Sequence, residues 1–554
     1  MNIAGHLPQM AASRPEMLAV ASSDGRGGFR RWSFERLENE SNAIAHGLEA
    51  RGIRRGVRTV LMVPPGPEMF ALTFALFKVG AILVLVDPGM GVKKLGICLA
   101  EAKPEAFIGI TKAHAARALL GWGRATIRKL VTVGPRLFWG GVTLKGLVRG
   151  MADKGARAPE VFEPDETCAV LFTSGSTGVP KGAVYTHGIF EAQVALLRET
   201  YGIEPGEVDL ATFPLFALFD AALGMSAVVP EMNPTQPAKA DPQKILHAID
   251  TFGVTNMFAS PALVHRIARH GKKLKTIRRA ISAGAPASPP ILQLFQLLLP
   301  DGAEIHTPYG ATESLPVSTI GSAEILGETA AATAQGKGVC VGKPVRGMSV
   351  SIIPISDEPI ASWETIGSLP TGEIGEITVA GPVVTRTYDN SPESTALAKI
   401  VDKDGVVHHR MGDVGYLDDC GRIWFCGRKA HRVETPEGTL FTAACEGLFN
   451  SAHEVYRTAL VGVSKGGKTI PVLCVQREPA PEGFSTYWSE DSDGIPSGDR
   501  DDWIRGGLLY LGQTQPHTAR IQTILFHKSF PVDTRHNAKI FREKLAVWAA
   551  KQLR

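Results

Sequence analysis

Short apolar runs rich in β-branched residues recur along the first half of this chain, separated by segments long enough for helices. TVLMV (59–63), ILVLV (82–86), AFIGI (106–110) and KLVTV (129–133) come first, and CAVLF (168–172), SAVVP (226–230), VTNMFA (254–259) and RRAISA (278–283) continue the series. Buried strands joined by helical crossovers specify a mostly parallel sheet covered on both faces, so the fold class is α/β. The 554 residues are enough for two or more domains, each with a substantial core.

From about Val339 the texture changes. VRGMSVSIIPI, GEIGEITVAGP and GRIWFCG read as strands separated by Gly and Pro turns, with no helix between them. A small β subdomain is expected at about 339–427. After Arg428 a smaller α/β unit follows, with strands YRTALVGV and PVLCVQ and a last helix from about Phe541. The expected organisation is a large N-terminal domain, 1–428, and a small C-terminal domain, 429–554, with the boundary near Arg428 to Arg432. Ala323 to Gly338 reads as an irregular loop, and Glu478 to Trp503, rich in Pro, Ser, Gly and acidic residues, as a mobile surface insertion.

Phe70 to Val86 is the one stretch that imitates a membrane span. It is 17 residues long, but Lys78 and Gly80 interrupt it and Asp87-Pro88 end it. A spanning helix needs about 20 apolar residues, so a buried helix running into a buried strand is expected, with no membrane span. The N-terminus, MNIAGHLPQM, lacks the basic and apolar regions of a signal peptide. The seven cysteines are scattered, and none forms a CxxC pair, which fits reduced thiols in a cytoplasmic protein. The net charge is only +4, and no basic run resembles a nucleic-acid stripe.

The densest chemistry lies in TSGSTGVPKG, Thr173 to Gly182. Glycines let a backbone approach an anion closely and aim N–H groups at its oxygens. Gly175 and Gly178 supply that freedom, Thr173, Ser174, Ser176 and Thr177 add hydroxyl donors, and Lys181 adds charge. The arrangement suits a polyphosphate. It is not a P-loop, which requires Gly-Lys-Ser/Thr entering a helix, because Pro180 precedes the lysine and Gly182 follows it. The loop reads as lying between the strand CAVLF and a helix presenting Phe190, Val194, Leu197 and Tyr201 on one face.

TSGSTGVPKG closely resembles the signature loop of the adenylate-forming superfamily, which comprises acyl-CoA synthetases, peptide synthetase adenylation domains and luciferases. Other motifs follow in that family's order: AxxKxGA at 75–81, AGAP at 283–286, YGATE at 309–313, GEIGEITVAGP at 372–382, MGDVGYLDDCGRIWFCGRK at 411–429 and NAKIFREKL at 537–545. The resemblance implies that a carboxylate attacks the α-phosphorus of ATP, releasing pyrophosphate and forming an acyl-AMP. It implies that the loop binds the β- and γ-phosphates of ATP, that Glu313 holds Mg2+, and that Thr312 donates to the α-phosphate. It also implies that Gly284, Ala285 and Pro286 line the adenine pocket, with Tyr309 against the ring and Asp413 and Arg428 at the ribose. Lys539 is the implied catalytic lysine, carried by a small domain that rotates about a hinge near Arg428. Ala538 replaces the family's usual glycine, and Ala430 stands where the family has Asp or Lys.

The acceptor of the acyl group decides the biology. The family's PLFH element appears as PLFALFD (214–220), with Ala217 at the histidine position. The loop that helps admit a pantetheine thiol in acyl-CoA synthetases appears as HRVETPEGTLFTAACE (431–446), keeping only Gly438. TFPLFALFD, TPYGATESLPV, HRMGDVGY, WFCGRKAHRVET and FPVDTRHNAKI are similar to one subgroup, the β-lactone synthetases of bacterial long-chain olefin biosynthesis. That likeness implies a 2-alkyl-3-hydroxy long-chain fatty acid as substrate, closed to a β-lactone by its own 3-hydroxyl. It also implies a complex with the reductase and α/β-hydrolase of the same pathway. A long-chain acyl-CoA synthetase or acyl-AMP ligase is the alternative. Asp220 and His187 are the weak candidates for the base that takes the hydroxyl proton, a structural role being the plainer reading of each. Phe213, Phe216, Leu218 and Phe219 read either as core or as the wall of an alkyl pocket.

Overall fold

The computed structural model describes residues 1–173, 180–213, 216–477, 497–532 and 540–553. Two large sheets carry the N-terminal part. In the seven-stranded sheet the order is Val142–Thr143, Lys129–Val133, Ala106–Ile110, Arg58–Met62, Ile82–Val86, Thr167–Thr173 and Lys181–Thr186. Every pair in it is parallel except the last. The nine-stranded sheet has a parallel centre, from Glu304–Ala311 through Arg279–Ser282, Asn256–Ala259, Val208–Ala211 and Ser226–Val229 to Leu18–Ser23, with antiparallel strands outside it.

Between these sheets lies the largest core, to which the helices Phe34–Ala50, Pro67–Lys78 and His187–Tyr201 contribute. Pro67–Lys78 is buried almost all round, as its largely apolar sequence requires. Lys78, its last residue, is fully buried, and its Nζ donates to Glu38 at 2.7 Å, Ser41 at 2.8 Å and Asn42 at 2.5 Å. Three acceptors satisfy all three ammonium protons, which is the condition for burying such a charge. Among the described residues no helix is long and apolar enough to cross a membrane.

A third, antiparallel sheet follows, ordered Val339–Cys340, Ile423–Arg428, Val407–Leu417, Gly375–Ala380 and Ser349–Ile353, with Lys399–Val401 beside Val407–Leu417. Beyond it, Val455–Lys465, Lys468–Arg477 and Thr523–Phe526 form a small sheet against the helices Thr442–Phe449 and Arg542–Gln552. The α/β architecture, a large N-terminal part with a β subdomain and a small C-terminal unit, is the one expected from sequence.

Three local expectations need correction. Ala323–Gly338 is not an irregular loop: Ser322–Glu324, Ile325–Thr329 and Ala330–Ala334 are successive helical turns, the middle one of π type. The run of alanines and one-turn spacing carry this, outweighing the lack of a clear apolar period. Ser497–Gly512 is a helix, so the expected insertion stops short of Trp503, and its remainder, 478–496, lies outside the described residues. The strand CAVLF does not lead directly to a helix. The extra strand Lys181–Thr186 turns back antiparallel on Thr167–Thr173 before the helix His187–Tyr201 begins.

Candidate active site

The hairpin made by that extra strand decides where Lys181 goes. Thr173 and Lys181 face each other across the ladder, and Ser174, Gly175, Ser176, Thr177 and Gly178 lie outside the described residues. The segment 384–389 fixes the strand from its other side. Asp389 N–H donates to the Gly182 carbonyl at 2.7 Å, Val184 N–H to the Thr387 carbonyl at 3.2 Å, and Ala183 bridges to Tyr388. Asp389 is held in turn by a bidentate pair with Arg58, at 2.6 and 2.8 Å. Lys181 Nζ therefore sits 5.3 Å from the centre of the Tyr388 ring.

Thr312 and Glu313 form the tip of a second hairpin, between Glu304–Ala311 and Ser314–Gly321. The Thr312 carbonyl accepts from the Tyr185 hydroxyl at 2.5 Å. The Glu313 carbonyl accepts from Thr385 twice, from its N–H at 2.8 Å and its hydroxyl at 3.2 Å. Glu313 is 9% exposed, and its Oε1 accepts from the Tyr388 hydroxyl at 2.8 Å. A buried lysine completes the group: Lys399 Nζ donates to the Thr385 hydroxyl at 3.1 Å and lies 5.7 Å from the Tyr388 ring centre. Burial pushes the Lys399 ammonium down to about 7, while Glu313 pulls in the opposite direction. His409 is paired with Lys399 across the sheet, and burial together with the charges of Lys399 and Lys181 holds it well below the usual histidine range.

At the other end of the same cleft, Asp413 and Arg428 are cross-strand partners, with Arg428 Nη1 2.9 Å from Asp413 Oδ1. Asp413 is 3% exposed and also accepts from the Tyr309 hydroxyl at 2.7 Å. Burial and the Asp413 charge drive the Tyr309 phenol well up, so it remains the donor. Gly284, at φ +97°, opens the turn Gly284-Ala285-Pro286 after the strand Arg279–Ser282. A side chain would be strained there, which explains the glycine.

All of these groups line one cleft of about 3120 Å³: Lys181, Gly284, Ala285, Pro286, Tyr309, Thr312, Glu313, Asp413 and Arg428. Lys539 lies outside the described residues, but its neighbour Ile540 lines the same cleft. Phe213, Phe216, Leu218 and Phe219 line it too, and Phe216 packs on Phe258 with ring centres 4.5 Å apart. The two weak candidates for a base do not line it. His187 stacks on Phe162 at 4.6 Å and meets the Ile3 N–H at 3.5 Å, and burial pushes it down to about 4. Asp220 is buried with its Oδ2 unpartnered among the described residues, and burial drives its pKa well up.

An AMP-binding enzyme family model matches residues 7–389. The chain belongs to that AMP-binding enzyme family. Among curated AMP-binding relatives, the olefin beta-lactone synthetase of Xanthomonas campestris pv. campestris is 49% identical over 563 residues, covering 100% of this chain and 98% of that protein. The olefin beta-lactone synthetase of Stenotrophomonas maltophilia is equally similar, at 49% over 563 residues with the same coverage. Solved structures share the fold at lower identity. The amide bond synthetase McbA from Marinactinospora thermotolerans superposes with a TM-score of 0.76 at 21% identity, over 99% of both chains. ATP-bound MatB from Rhodopseudomonas palustris does so with a TM-score of 0.75 at 20% identity, over 100% of both.

Tyr388, Thr385 and Lys399 escaped the sequence reading, although each touches Glu313 or its partners. Lys399 carried no signal, since a lysine opening a short strand reads as surface. Tyr388 was the nearest to legible, as an aromatic beside the turn Asp389-Asn390 just after a matched motif.

Proposed function

We propose that this AMP-binding enzyme is an olefin β-lactone synthetase. It adenylates a 2-alkyl-3-hydroxy long-chain fatty acid with ATP, then closes the acyl-AMP through the substrate's own 3-hydroxyl, releasing AMP. The observation that carries this reading is full-length similarity to two olefin beta-lactone synthetases at 49% identity. In the first step a substrate carboxylate oxygen bonds to the α-phosphorus of ATP as the bond to pyrophosphate breaks. Negative charge gathers on phosphoryl oxygens, so fixed cations and donors are the catalytic need. Lys181 stands at the phosphate end of the cleft, the Asp413–Arg428 pair suits the ribose hydroxyls, and Lys539 is assigned the charge between carboxylate and α-phosphate.

Glu313 is the residue that would hold Mg2+. Its carboxylate is a hard donor with one oxygen fixed by Tyr388. Mg2+ is commonly held by one or two carboxylates together with waters and substrate phosphates. When bound, the ion neutralises phosphate charge.

In the second step the 3-hydroxyl oxygen bonds to the acyl carbon as its O–H bond breaks and its proton is released, and the acyl–phosphate bond breaks with its electron pair leaving on AMP. A tethered nucleophile held in reacting geometry gains several kcal/mol over a free one, and it needs no acceptor tunnel. The segment that corresponds to the thiol-admitting loop forms the hairpin Val433–Thr435 and Gly438–Leu440, with the Glu437 carbonyl accepting from Arg520 at 2.7 Å. The aromatic wall of the cleft offers apolar surface for the alkyl chains. A complex with the pathway's reductase and α/β-hydrolase belongs to the same proposal.

The deciding experiment incubates purified protein with ATP, Mg2+ and a synthetic 2-alkyl-3-hydroxy long-chain acid, with and without CoA, and identifies the product by NMR. A β-lactone with AMP, indifferent to CoA, is expected. A thioester that forms only with CoA would make the protein an acyl-CoA synthetase.

A further inference from the structure

Six of the 17 large apolar side chains exposed among the described residues fall in one short stretch: Val92, Ile97, Leu119, Leu120, Leu137 and Phe138. The same stretch, 92–138, holds nine lysines and arginines against two carboxylates, a net +7 in a chain whose total is +4. The rest of the protein is therefore net −3. Charge and exposed apolar surface are concentrated together.

The fold gathers them on one outer layer. The helices Val92–Ala102 and Thr111–Leu120 bury Leu95, Leu99 and Ala113 against one face of the seven-stranded sheet, so their opposite faces meet solvent. They are neighbours, because Gly96 of the first leaves room for the Trp122 indole just after the second. Phe138 is brought to the start of the second helix, where Thr111 donates to the Pro135 carbonyl at 2.6 Å and Trp139 stacks on His114 at 5.4 Å. Leu119 and Leu120 stand at that helix's other end, 82% and 51% exposed. The layer is continuous with the cleft, whose rim includes Met90, Lys94 and Lys112.

We propose that this face docks the protein on an anionic lipid bilayer, with the rim of the cleft turned toward the membrane. Apolar tips at helix ends and loop apices enter the boundary between headgroups and acyl chains, while lysines and arginines around them meet anionic headgroups. A nucleic acid would match the charge but leave the leucines and Phe138 in water. Docking would put the cleft where a long-chain acid is most concentrated; that benefit rests on the functional reading above, whereas the docking rests on charge and exposure alone.

The test is co-sedimentation of the full-length protein, without substrate, with vesicles of phosphatidylcholine alone and of phosphatidylcholine mixed with phosphatidylglycerol. Sedimentation with the anionic vesicles only is expected, lost at about 1 M salt, where the Debye length is about 3 Å. Two variants should bind about tenfold more weakly or worse: Leu119→Ser/Leu120→Ser/Phe138→Ser, and Lys93→Glu/Lys103→Glu/Arg124→Glu. Both should keep the wild-type melting temperature, which separates lost docking from lost folding. Protein left in the supernatant with both lipids, or variants that sediment like wild type, would overturn the proposal. Because no turnover is read, a failed lactone assay leaves this result intact, and the reverse also holds.

Discussion

Glu313 is aligned by neighbours distant in sequence: Thr385 holds its carbonyl, and the Tyr388 hydroxyl holds its carboxylate. A hydrogen bond to a charged group contributes about 1.5–3 kcal/mol, so Tyr388→Phe should lower kcat/KM about tenfold or more. The same variant should need more Mg2+ for half-maximal rate, which a magnesium titration would read. At the end of the cleft proposed for the ribose, Asp413→Asn weakens the pairing with Arg428 and the acceptor proposed for ATP. It should raise the KM for ATP by about tenfold while changing the KM for the acid little. His187 makes a separate prediction about stability. Burial pushes it down to about 4, so between that value and the free value the unfolded chain binds a proton that the folded protein refuses. Stability is therefore lost as pH falls through this window. From about pH 7 to about pH 5 the loss from this group is about 2 kcal/mol. Urea denaturation at the two pH values should show a smaller drop for His187→Gln than for wild type; equal drops would refute the assignment. At this scale the matched motifs were legible because each stands in a contiguous string. Lys399 and Tyr388 were not, because their meaning comes from what the chain places against them.

The helix Pro67–Lys78 shows how an element can be read correctly while one residue within it is misread. Its apolar run specified a buried helix, and Lys78 looked like an interruption. In the fold that lysine ties its helix to Phe34–Ala50 through Glu38, Ser41 and Asn42. Removing one partner of a buried ion pair costs about 3–5 kcal/mol, so Lys78→Met should lower the melting temperature sharply. Lys78→Met/Glu38→Leu should recover most of that loss, since no unpaired charge remains; failure to recover would mean that Ser41 and Asn42 carry the cost. Elements with strong periodicity were legible, including five strands of the seven-stranded sheet and three at the parallel centre of the nine-stranded one. The strand Lys181–Thr186 was not, because KGAVYT follows a glycine-rich loop and precedes a helix so closely that its antiparallel partner alone defines it. The helical turns of Ser322–Ala334 are hard to read for the opposite reason: they lack an apolar stripe, and the alanine run is their main local signal.

At the scale of the whole molecule, the two domains meet at a segment gripped by ion pairs. Arg428 pairs with Asp413, Lys429 Nζ lies 3.0 Å from Glu376, and Arg432 reaches Asp357 at 2.5 Å. His431, 3.6 Å from Glu543, faces the last helix instead. We place the domain boundary in this segment, Arg428 to Arg432, as proposed from the sequence. The small domain carries Lys539, so Lys539→Ala should lower ATP–pyrophosphate exchange about a hundredfold or more without changing the melting temperature. A fully active variant would remove the lysine from the mechanism. The sequence by itself determined the α/β class, the family and the motifs to which phosphate, adenine and ribose roles are proposed, because those depend on local periodicity and on residues adjacent in the chain. Only the tertiary structure decided which of the candidate residues share the cleft, that His187 and Asp220 stand outside it, and that Lys399 stands behind Glu313. Burial and cross-strand pairing set those outcomes, and both arise from residues that meet only when the sheets are assembled.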